Sequence, residues 1–299
     1  MRNEPVDAVI VGGGAAGLQA ALTLGRSCRR VVVVDAGAPR NRFATHSHNL
    51  LTRDGTPPGE LLTLGRADLE RYDVEIVEDR VVGARHDDGG FLVERAGGPP
   101  LRARGLVVAT GQRDRLPDVP GLDRAWGESA FACPYCHGWE HRGRVFAVWG
   151  QDAYAAHMVR LVRAWTDRIH LLTDGPLAWA PADVDDLRGV ARIHEGRVSA
   201  LDVEGRQVRA VCFADGCRLE VDVVMTRPPA EPASEILRAL GAEHGPDGLP
   251  VLGPMQDTTV PGLFVAGDLG THMSSLVHAL ATGALAAAGL NAHLVHARR

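Results

Sequence analysis

The sequence has few aromatic residues, no excess of basic residues and no long uninterrupted apolar segment. Phe, Trp and Tyr make up 5% of its 299 residues, and 32 Lys and Arg face 37 Asp and Glu, for a formal net charge of −5. A protein that binds nucleic acid usually carries a basic patch or a strongly basic balance. We therefore expect no nucleic-acid partner.

The chain also lacks the sequence features of export and of membrane insertion. The N-terminal segment MRNEPVDAVIVGGG has no cationic region followed by a long apolar run. The most apolar later segment, ALATGALAAAGL, is interrupted by glycine and is too short to span a bilayer. We expect no membrane association and a cytoplasmic location.

Cysteine is scarce, and its count is odd. The five cysteines are Cys28, Cys133, Cys136, Cys212 and Cys217. An odd number of thiols scattered over a long chain argues against the disulfide framework of a secreted protein. Any disulfide in this chain is therefore expected to take part in redox chemistry rather than to stabilise the fold.

Two of these cysteines lie in the segment CPYCHGWE, which begins at Cys133. The Cys-x-x-Cys spacing serves a redox disulfide and half of a zinc site equally well, so the motif alone does not distinguish them. Cys212 and Cys217 could supply two further zinc ligands. They flank Asp215-Gly216, however, which is typical of a β-hairpin turn, and they lack zinc-knuckle spacing. We expect no metal site.

The first 35 residues have the pattern of strand, glycine turn, helix and strand. The turn reads Gly12-x-Gly14-x-x-Gly17, and Asp35 closes the second strand. Gly12 allows a tight turn, Gly14 lets a pyrophosphate approach the backbone, and Gly17 lets the helix pack on the sheet. The helix N-terminus then faces the phosphates, and Asp35 can accept a hydrogen bond from a ribose hydroxyl. This pattern predicts a dinucleotide-binding domain.

A second unit of the same kind is RVFAVWGQDAYAAHMVRLVRAWTDRIHLLTDG. Because it repeats the N-terminal pattern, we expect two nucleotide-binding domains. Its fingerprint is incomplete: Gly150 is kept, but Asp152 occupies the position of the second glycine, where it adds bulk and negative charge. Asp174, rather than a basic cluster, follows the second strand. Either nucleotide binding has decayed, or an unusual nicotinamide site survives and prefers NAD to NADP.

Two further segments indicate how the chain is divided. LVVATGQRDRLPDVPG is a strand that ends at Thr110-Gly111 and runs into a proline-containing linker, and LFVAGD ends at Gly267-Asp268 before a helix rich in small residues. The predicted fold class is α/β, with two Rossmann-like, three-layer ββα nucleotide-binding domains. The first predicted nucleotide-binding domain is discontinuous and comprises residues 1–114 and 246–299. The central domain, residues 115–245, carries the Cys-x-x-Cys motif.

Taken in order, these motifs resemble the low-molecular-weight thioredoxin reductase family of FAD proteins over nearly the whole chain. They are the glycine fingerprint with its acid, the Ala109-Thr110-Gly111 strand end, the Cys-x-x-Cys motif and the late Gly267-Asp268. Within that family, CPYCHG followed by Trp139-Glu140 looks most like the dithiol oxidases of the gliotoxin and holomycin pathways. The resemblance implies FAD as cofactor, a small-molecule dithiol as substrate, O2 as electron acceptor with release of H2O2, and a homodimer.

The resemblance also implies roles for individual residues. Cys136 is implied to be the thiol nearest the flavin and Cys133 the outer thiol, while His137 stands where thioredoxin reductases carry an aspartate. A histidine there can accept a proton from an incoming thiol, or lower the pKa of Cys136 when protonated. The residues implied to contact FAD are Gly12, Gly14, Ala15, Ala16, Gly17, Asp35, Ala36, Arg40, Asn49, Val82, Thr110, Gly111, Gly267, Asp268, Ser275 and Leu276.

Several alternatives stay open on the sequence alone. The loop RNRFATHSHNLLTRDGTPP resembles the flavin-side loop of the same proteins, and its His46 and His48 are either catalytic groups or ordinary loop histidines. The enzyme could instead reduce thioredoxin or a similar disulfide with electrons from NAD(P)H or ferredoxin. A non-catalytic flavin-binding protein is the third possibility, but it would have no need to keep the Cys-x-x-Cys-His motif.

Overall fold

The computed structural model describes residues 4–177 and 179–297. Its strands are β1 (Val6–Val11), β2 (Val31–Asp35), β3 (Val74–Glu78), β4 (Val81–Asp87), β5 (Gly90–Arg95), β6 (Leu101–Val108), β7 (Gln112–Asp114), β8 (Ala130–Phe131), β9 (Phe146–Trp149), β10 (Ile169–Leu172), β11 (Arg192–His194), β12 (Val198–Glu204), β13 (Gln207–Phe213), β14 (Arg218–Glu220), β15 (Val223–Thr226), β16 (Ala230–Pro232) and β17 (Leu263–Val265). Its α-helices are α1 (Ala15–Arg26), α2 (Pro58–Leu69), α3 (Leu122–Ala125), α4 (Pro134–His137), α5 (Ala153–Leu161), α6 (Pro181–Arg188), α7 (Ile236–Ala239) and α8 (Leu276–His296). Within the described ranges, none of the helices combines the length and apolarity that crossing a bilayer requires.

The chain divides into two compact units. The first consists of the residues up to Arg42, Pro58–Arg113 and the residues from Glu231, and the second of Phe43–Pro57 and Asp114–Ala230. Two short strands, β7 and β16, lie where the chain passes between the units, and they pair with each other. The first unit is thus discontinuous in sequence.

The observed boundaries differ from the predicted ones in two places. Residues 43–57 belong to the second unit, where the Arg206 guanidinium donates to the carbonyl oxygen of Phe43 and Thr45 Oγ1 donates to Glu128 Oε2 over 2.5 Å. The chain also returns to the first unit at Glu231 rather than at 246. The reason is that Ile236 and the following residues of α7 are buried in the apolar cluster of the first unit.

The first unit is built on a seven-stranded sheet with the order β3-β2-β1-β6-β5-β4, in which β17 also pairs with β6. β1 pairs in parallel with β2 and β6, whereas β4 and β5 form an antiparallel hairpin. Both faces of β1 and β2 are buried, which is why these strands read as continuous apolar runs rather than alternating ones. Helices α1 and α8 cover one face, and α7 contributes to the cluster on the other.

The second unit has three layers. A parallel sheet in the order β11-β10-β9-β15-β8 lies at its centre. Helices α5 and α6 pack against one face of this sheet, and the antiparallel sheet β12-β13-β14 packs against the other. This is the predicted ββα arrangement, and the predicted hairpin turn at Asp215-Gly216 joins β13 to β14, with Gly216 in the left-handed region at φ 87°.

Close packing of α1 against α8 depends on the absence of a side chain at one position. A Cβ at Gly283 of α8 would lie 2.3 Å from the carbonyl oxygen of Ala16, which is backbone and cannot move aside as a flexible side chain would. By contrast, nothing in the described chain lies within 4 Å of a Cβ built at Gly59, near the start of α2.

We predict that Gly283→Ala destabilises the FAD-loaded protein, whereas Gly59→Ala does not. Forcing a methyl group into a packed interface costs about 1–3 kcal/mol, while alanine at an unstrained helical position is neutral or stabilises by about 0.4–1 kcal/mol. Urea unfolding followed by circular dichroism measures both changes. Equal midpoints for the two variants would show that α1 and α8 can separate without cost.

Candidate active site

The turn between β1 and α1 meets the steric demands of a dinucleotide cradle. Gly12 has φ 104°, and a Cβ there would lie 2.5 Å from the carbonyl oxygen of Ala109. A Cβ at Gly17 would lie 1.8 Å from the carbonyl oxygen of Gly12. At Gly14, in contrast, a Cβ meets no atom of the described chain within 4 Å. The first and third glycines are therefore required by the fold itself, and the second faces open space.

A buried hydroxyl without a partner lies beside this turn. The Cα of Thr110 is 3.2 Å from the position of a Cβ at Gly12, and among the described residues Thr110 Oγ1 has no hydrogen-bond partner. Gly111, directly after it, adopts φ 66°. Because buried polar groups are almost always paired, an orphaned hydroxyl at the end of β6 indicates a polar ligand at this turn.

The Asp35 carboxylate is already paired with a residue that the sequence motif did not reveal. Asp35 Oδ2 accepts a hydrogen bond from Arg66 Nη2 over 2.6 Å, and Oδ1 accepts from the backbone N–H of Gly37 over 3.3 Å. A Cβ at Gly13 would lie 2.7 Å from Asp35 Cγ, so the carboxylate packs directly on the glycine turn. Ala36 follows it at the surface. Arg66 lies on α2, 31 residues from Asp35, and no local pattern marks it.

The start of α8 brings together another group of the implied FAD residues. Arg40 Nη1 donates to Asp268 Oδ2 over 2.9 Å and to Ser274 Oγ over 2.8 Å. Gly267, with φ 75°, donates its backbone N–H to Thr282 Oγ1. Ser275 is the N-cap residue of α8, and its Oγ accepts from the backbone N–H of His278 over 3.1 Å. Leu276 then begins the helix.

Most of the implied FAD contacts lie in the first unit, including Ala15 and Ala16 at the start of α1. Val82 is 62% exposed on the edge strand β4 of the same unit. Asn49 is the exception, because it belongs to the second unit. Its backbone adopts φ 61°, and its N–H donates to Asp54 Oδ1 over 2.7 Å. Its contact with FAD stays a prediction.

The Cys-x-x-Cys motif lies at the start of a short helix of the second unit. Cys133 directly precedes α4, and its Sγ lies 2.6 Å from Cys136 Sγ. The pKa of Cys133 is lowered to about 7, mainly because the Cys136 thiol donates a hydrogen bond to its sulfur. Backbone hydrogen bonds from Cys136 and Tyr135 also lower this pKa, whereas burial raises it. At neutral pH a large fraction of Cys133 is therefore thiolate, which is the nucleophilic form.

The His137 imidazole is uncharged at neutral pH. Its ring lies 5.0 Å from the Phe131 ring. The pKa of His137 is lowered to about 4, mainly by burial and also by the charges of His141 and His48, while Glu128 opposes the shift. His137 can therefore accept a hydrogen bond over the whole neutral range. The other role considered from the sequence, a protonated His137 that lowers the pKa of Cys136, requires acid solution.

His46 and His48 lie in the loop of residues 43–57, in the same unit as the cysteines. Their ring centroids are 6.4 Å apart. His48 Nδ1 lies 3.5 Å from Asp54 Oδ2, and His48 Nε2 lies 3.7 Å from Glu140 Oε1. His48 is therefore linked to the last residue of the CPYCHGWE segment by a specific contact.

Both aspartates of the second nucleotide-binding pattern have structural partners. Asp152 is the N-cap residue of α5, and its Oδ1 accepts from the backbone N–H of Ala155 over 2.9 Å. Asp174 Oδ1 accepts from the backbone N–H of Val198 over 2.7 Å. The Asp152 carboxylate thus occupies the helix N-terminus at which a pyrophosphate would bind.

Two of the other cysteines lie in the hairpin of β13 and β14. Cys212 is in β13 opposite Arg218 of β14, and Cys217 is exposed in the turn between these strands. In the part of the chain that the structure describes, no three His, Cys, Asp or Glu side chains are grouped so that they could hold a metal ion.

Comparison with known proteins defines the class. Residues 6–283 match the family model of the pyridine nucleotide-disulphide oxidoreductases, so the chain belongs to this family. A relative named thioredoxin reductase tcpT, from Claviceps purpurea, is 33% identical over 94% of this chain and 92% of its own length. Thioredoxin reductase sirT from Leptosphaeria maculans is 27% identical over 95% and 93%. The solved structure of HlmI superposes with a TM-score of 0.94 and 36% identity over 100% of this chain and 95% of that one.

These findings confirm the predicted fold, cofactor and broad reaction type. The protein is an FAD-dependent thiol/disulfide oxidoreductase with a thioredoxin reductase-like fold. The residues present fit FAD, because the open space at Gly14 and the unpaired Thr110 hydroxyl lie at the same turn.

We predict that Arg66→Ala weakens FAD binding. Without the guanidinium, the Asp35 carboxylate loses a charge-assisted hydrogen bond worth about 1.5–3 kcal/mol beside the turn where phosphates approach. Affinity should fall by roughly tenfold to a hundredfold, as measured by quenching of FAD fluorescence on titration of the FAD-free protein. Glu78→Ala, which removes only the exposed second partner of Arg66, is the control and should bind FAD as the wild type does.

We also predict that Cys133 is alkylated with an apparent pKa of about 7, because hydrogen bonds stabilise its thiolate. Iodoacetamide labelling of the reduced protein at a series of pH values, with mass spectrometry of the peptide, gives this midpoint. Cys136→Ala removes the principal donor and should raise the midpoint towards that of an ordinary thiol. An unchanged midpoint in this variant would contradict the assignment.

Proposed function

We propose that this protein is an FAD-dependent dithiol oxidase, which closes a small-molecule dithiol to a disulfide with O2 as electron acceptor and H2O2 as second product. The observation that carries the proposal is Asp152 at the N-terminus of α5. Its carboxylate takes up the backbone donor and adds negative charge where a dinucleotide would place its phosphates. Electrons from a pyridine nucleotide are thereby disfavoured, while the dithiol motif is intact.

The cysteines carry the thiol–disulfide exchange in this proposal. With Cys133 and Cys136 joined as a disulfide, a substrate thiolate attacks Cys133 Sγ and displaces Cys136 as a thiolate. The second substrate thiol then attacks the mixed disulfide, closes the product disulfide and releases Cys133. The backbone N–H groups of Tyr135 and Cys136, which help to lower the pKa of Cys133, stabilise the negative charge that develops on the departing Cys133 sulfur and so favour this last step. FAD, when bound, supplies the two-electron oxidation that restores the disulfide and passes the electrons to dioxygen.

His137 is proposed to orient the incoming thiol. It is the last residue of α4, next to Cys136, and its uncharged imidazole offers a hydrogen-bond acceptor at neutral pH. Because its pKa is about 4, His137 does not retain a proton at neutral pH. The FAD contacts implied by the family resemblance, the assembly as a homodimer and the cytoplasmic location belong to the same proposal.

A second candidate is a reductase of thioredoxin or of a similar protein disulfide, driven by NAD(P)H or ferredoxin. The names of tcpT and sirT favour it, and Gly150 is retained at the first position of the second glycine fingerprint. The two candidates differ in the direction of electron flow through the same cysteines.

We predict that a dithiol reduces the bound flavin and that NADPH and NADH do not do so at a comparable rate. If the misplaced carboxylate costs about 3 kcal/mol, nucleotide affinity falls by roughly a hundredfold. The measurement is anaerobic mixing of the oxidised protein with dithiothreitol, NADPH and NADH in turn, followed by flavin absorbance. In air, dithiol turnover should consume O2 and form H2O2 in equal amounts. Rapid stoichiometric bleaching by micromolar NADPH would establish the reductase instead.

A further inference from the structure

Dithiol oxidation releases protons that the cysteine motif itself cannot keep. Each substrate S–H bond breaks before its sulfur attacks, and the proton has to pass to a base of the protein. While Cys133 and Cys136 form a disulfide, neither sulfur can take the proton of the attacking thiol, and burial leaves His137 with too low a pKa to hold it. The proposed reaction therefore requires another proton acceptor near the motif.

His48 has the surroundings that such an acceptor needs. Its side chain is 18% exposed, and each ring nitrogen faces a carboxylate: Nδ1 faces Asp54 Oδ2 at 3.5 Å, and Nε2 faces Glu140 Oε1 at 3.7 Å. An imidazolium formed here would be compensated on both sides. A carboxylate–histidine pair of this kind is a common way to make an imidazole an effective base.

The loop that carries His48 is held in place by its own hydrogen bonds. The backbone N–H of Ser47 donates to the Thr56 carbonyl over 2.9 Å, and that of Gly55 donates to the Ser47 carbonyl over 2.8 Å. The N–H of Asn49 donates to Asp54 Oδ1, which leaves Oδ2 directed at His48. The same hydrogen bonds lower the pKa of Asp54, so its carboxylate stays ionised.

The link to the cysteine motif comes through Glu140 and His137. Glu140 closes the CPYCHGWE segment, and a charge on His48 is felt at His137. The groups that face His48 are thus Asp54 and His46 on its own loop, His137 at the end of α4, and Glu140 after it. This arrangement gives Glu140 a role, whereas the thiol–disulfide exchange between the substrate and the two cysteines does not use it.

We propose that His48, held between Asp54 and Glu140, accepts and keeps the thiol proton of the substrate. The proposal rests on the dithiol chemistry proposed above. The S–H bond of the first substrate thiol breaks, an N–H bond forms on His48, and the electron pair left on sulfur attacks Cys133 Sγ, with Cys136 leaving as a thiolate. The proton of the second substrate thiol passes to Cys133 Sγ as that sulfur is released. Glu140 and Asp54 are positioning residues, because they stabilise the imidazolium without entering the exchange.

The test is the pH dependence of anaerobic flavin reduction by dithiothreitol in the FAD-loaded protein, measured by stopped flow. Glu140→Gln keeps the shape of the side chain and removes its charge. It should slow flavin reduction at pH 7 by about tenfold or more. It should also move the acid limb of the profile, the fall in rate as pH decreases, to lower pH, because the imidazolium loses a stabilising charge. Asp54→Asn should move the limb in the same direction, and His48→Ala should remove it.

Glu128→Gln is the matched control. Glu128 acts on His137 and His141, and glutamine at this position keeps an oxygen that can accept from Thr45 of the His48 loop, so the change should leave the acid limb in place. Two results would overturn the proposal: a limb that moves in Glu128→Gln but not in Glu140→Gln, or a Glu140→Gln rate lowered equally at every pH. If the flavin is reduced normally by dithiothreitol but the reduced protein consumes no O2, the oxidase function is refuted. The role of His48 is then still decided by the pH–rate profiles of the variants.

Discussion

The close approach of Gly17 to the carbonyl oxygen of Gly12 is the constraint on which the first unit depends. A Cβ at Gly17 would lie 1.8 Å from that oxygen, so the beginning of α1 rests directly on the end of β1. This fixes Ala15 and Ala16 at the turn. Cβ atoms at Gly267 and Gly283 would in turn lie 2.9 and 2.3 Å from atoms of Ala16. The residue after strand β17, Gly267, and helix α8 therefore both pack closely on the start of α1.

In the second unit, the corresponding turn between strand and helix has a different residue at the position of the second glycine. Where the first turn leaves Gly14 facing open space, the second ends in Asp152, whose side chain caps α5. An N-cap aspartate stabilises a helix by about 1 kcal/mol, so the substitution strengthens the local fold while occupying a donor that phosphate would use. The cap that stabilises α5 and the proposed weakening of nucleotide binding therefore have one physical cause, the Asp152 carboxylate.

Features set by neighbouring residues could be predicted from the sequence, and features set by distant contacts could not. The strand, turn and helix around Gly12 and the hairpin at Asp215-Gly216 follow from local backbone demands, and the structure confirms them. Arg66 was missed because its partner Asp35 lies on another element, and nothing in the helix around it marks the contact. The domain boundaries shifted for the same reason, since residues 43–57 are held by Arg206 and Glu128 of the second unit.

Cys133 and His137 lie four residues apart. The surroundings of Cys133 favour its charged form, and those of His137 favour its uncharged form. Hydrogen bonds lower the pKa of Cys133 to about 7, whereas burial lowers that of His137 to about 4. At neutral pH the site thus combines a thiolate with an uncharged imidazole, and the thiolate is stabilised by S–H and N–H donors rather than by a cation. No cation that could carry a substrate proton away is part of this stabilisation. In the proposed dithiol oxidation, the proton of the attacking thiol therefore has to pass to a separate group, and His48 between its two carboxylates is the group proposed for it.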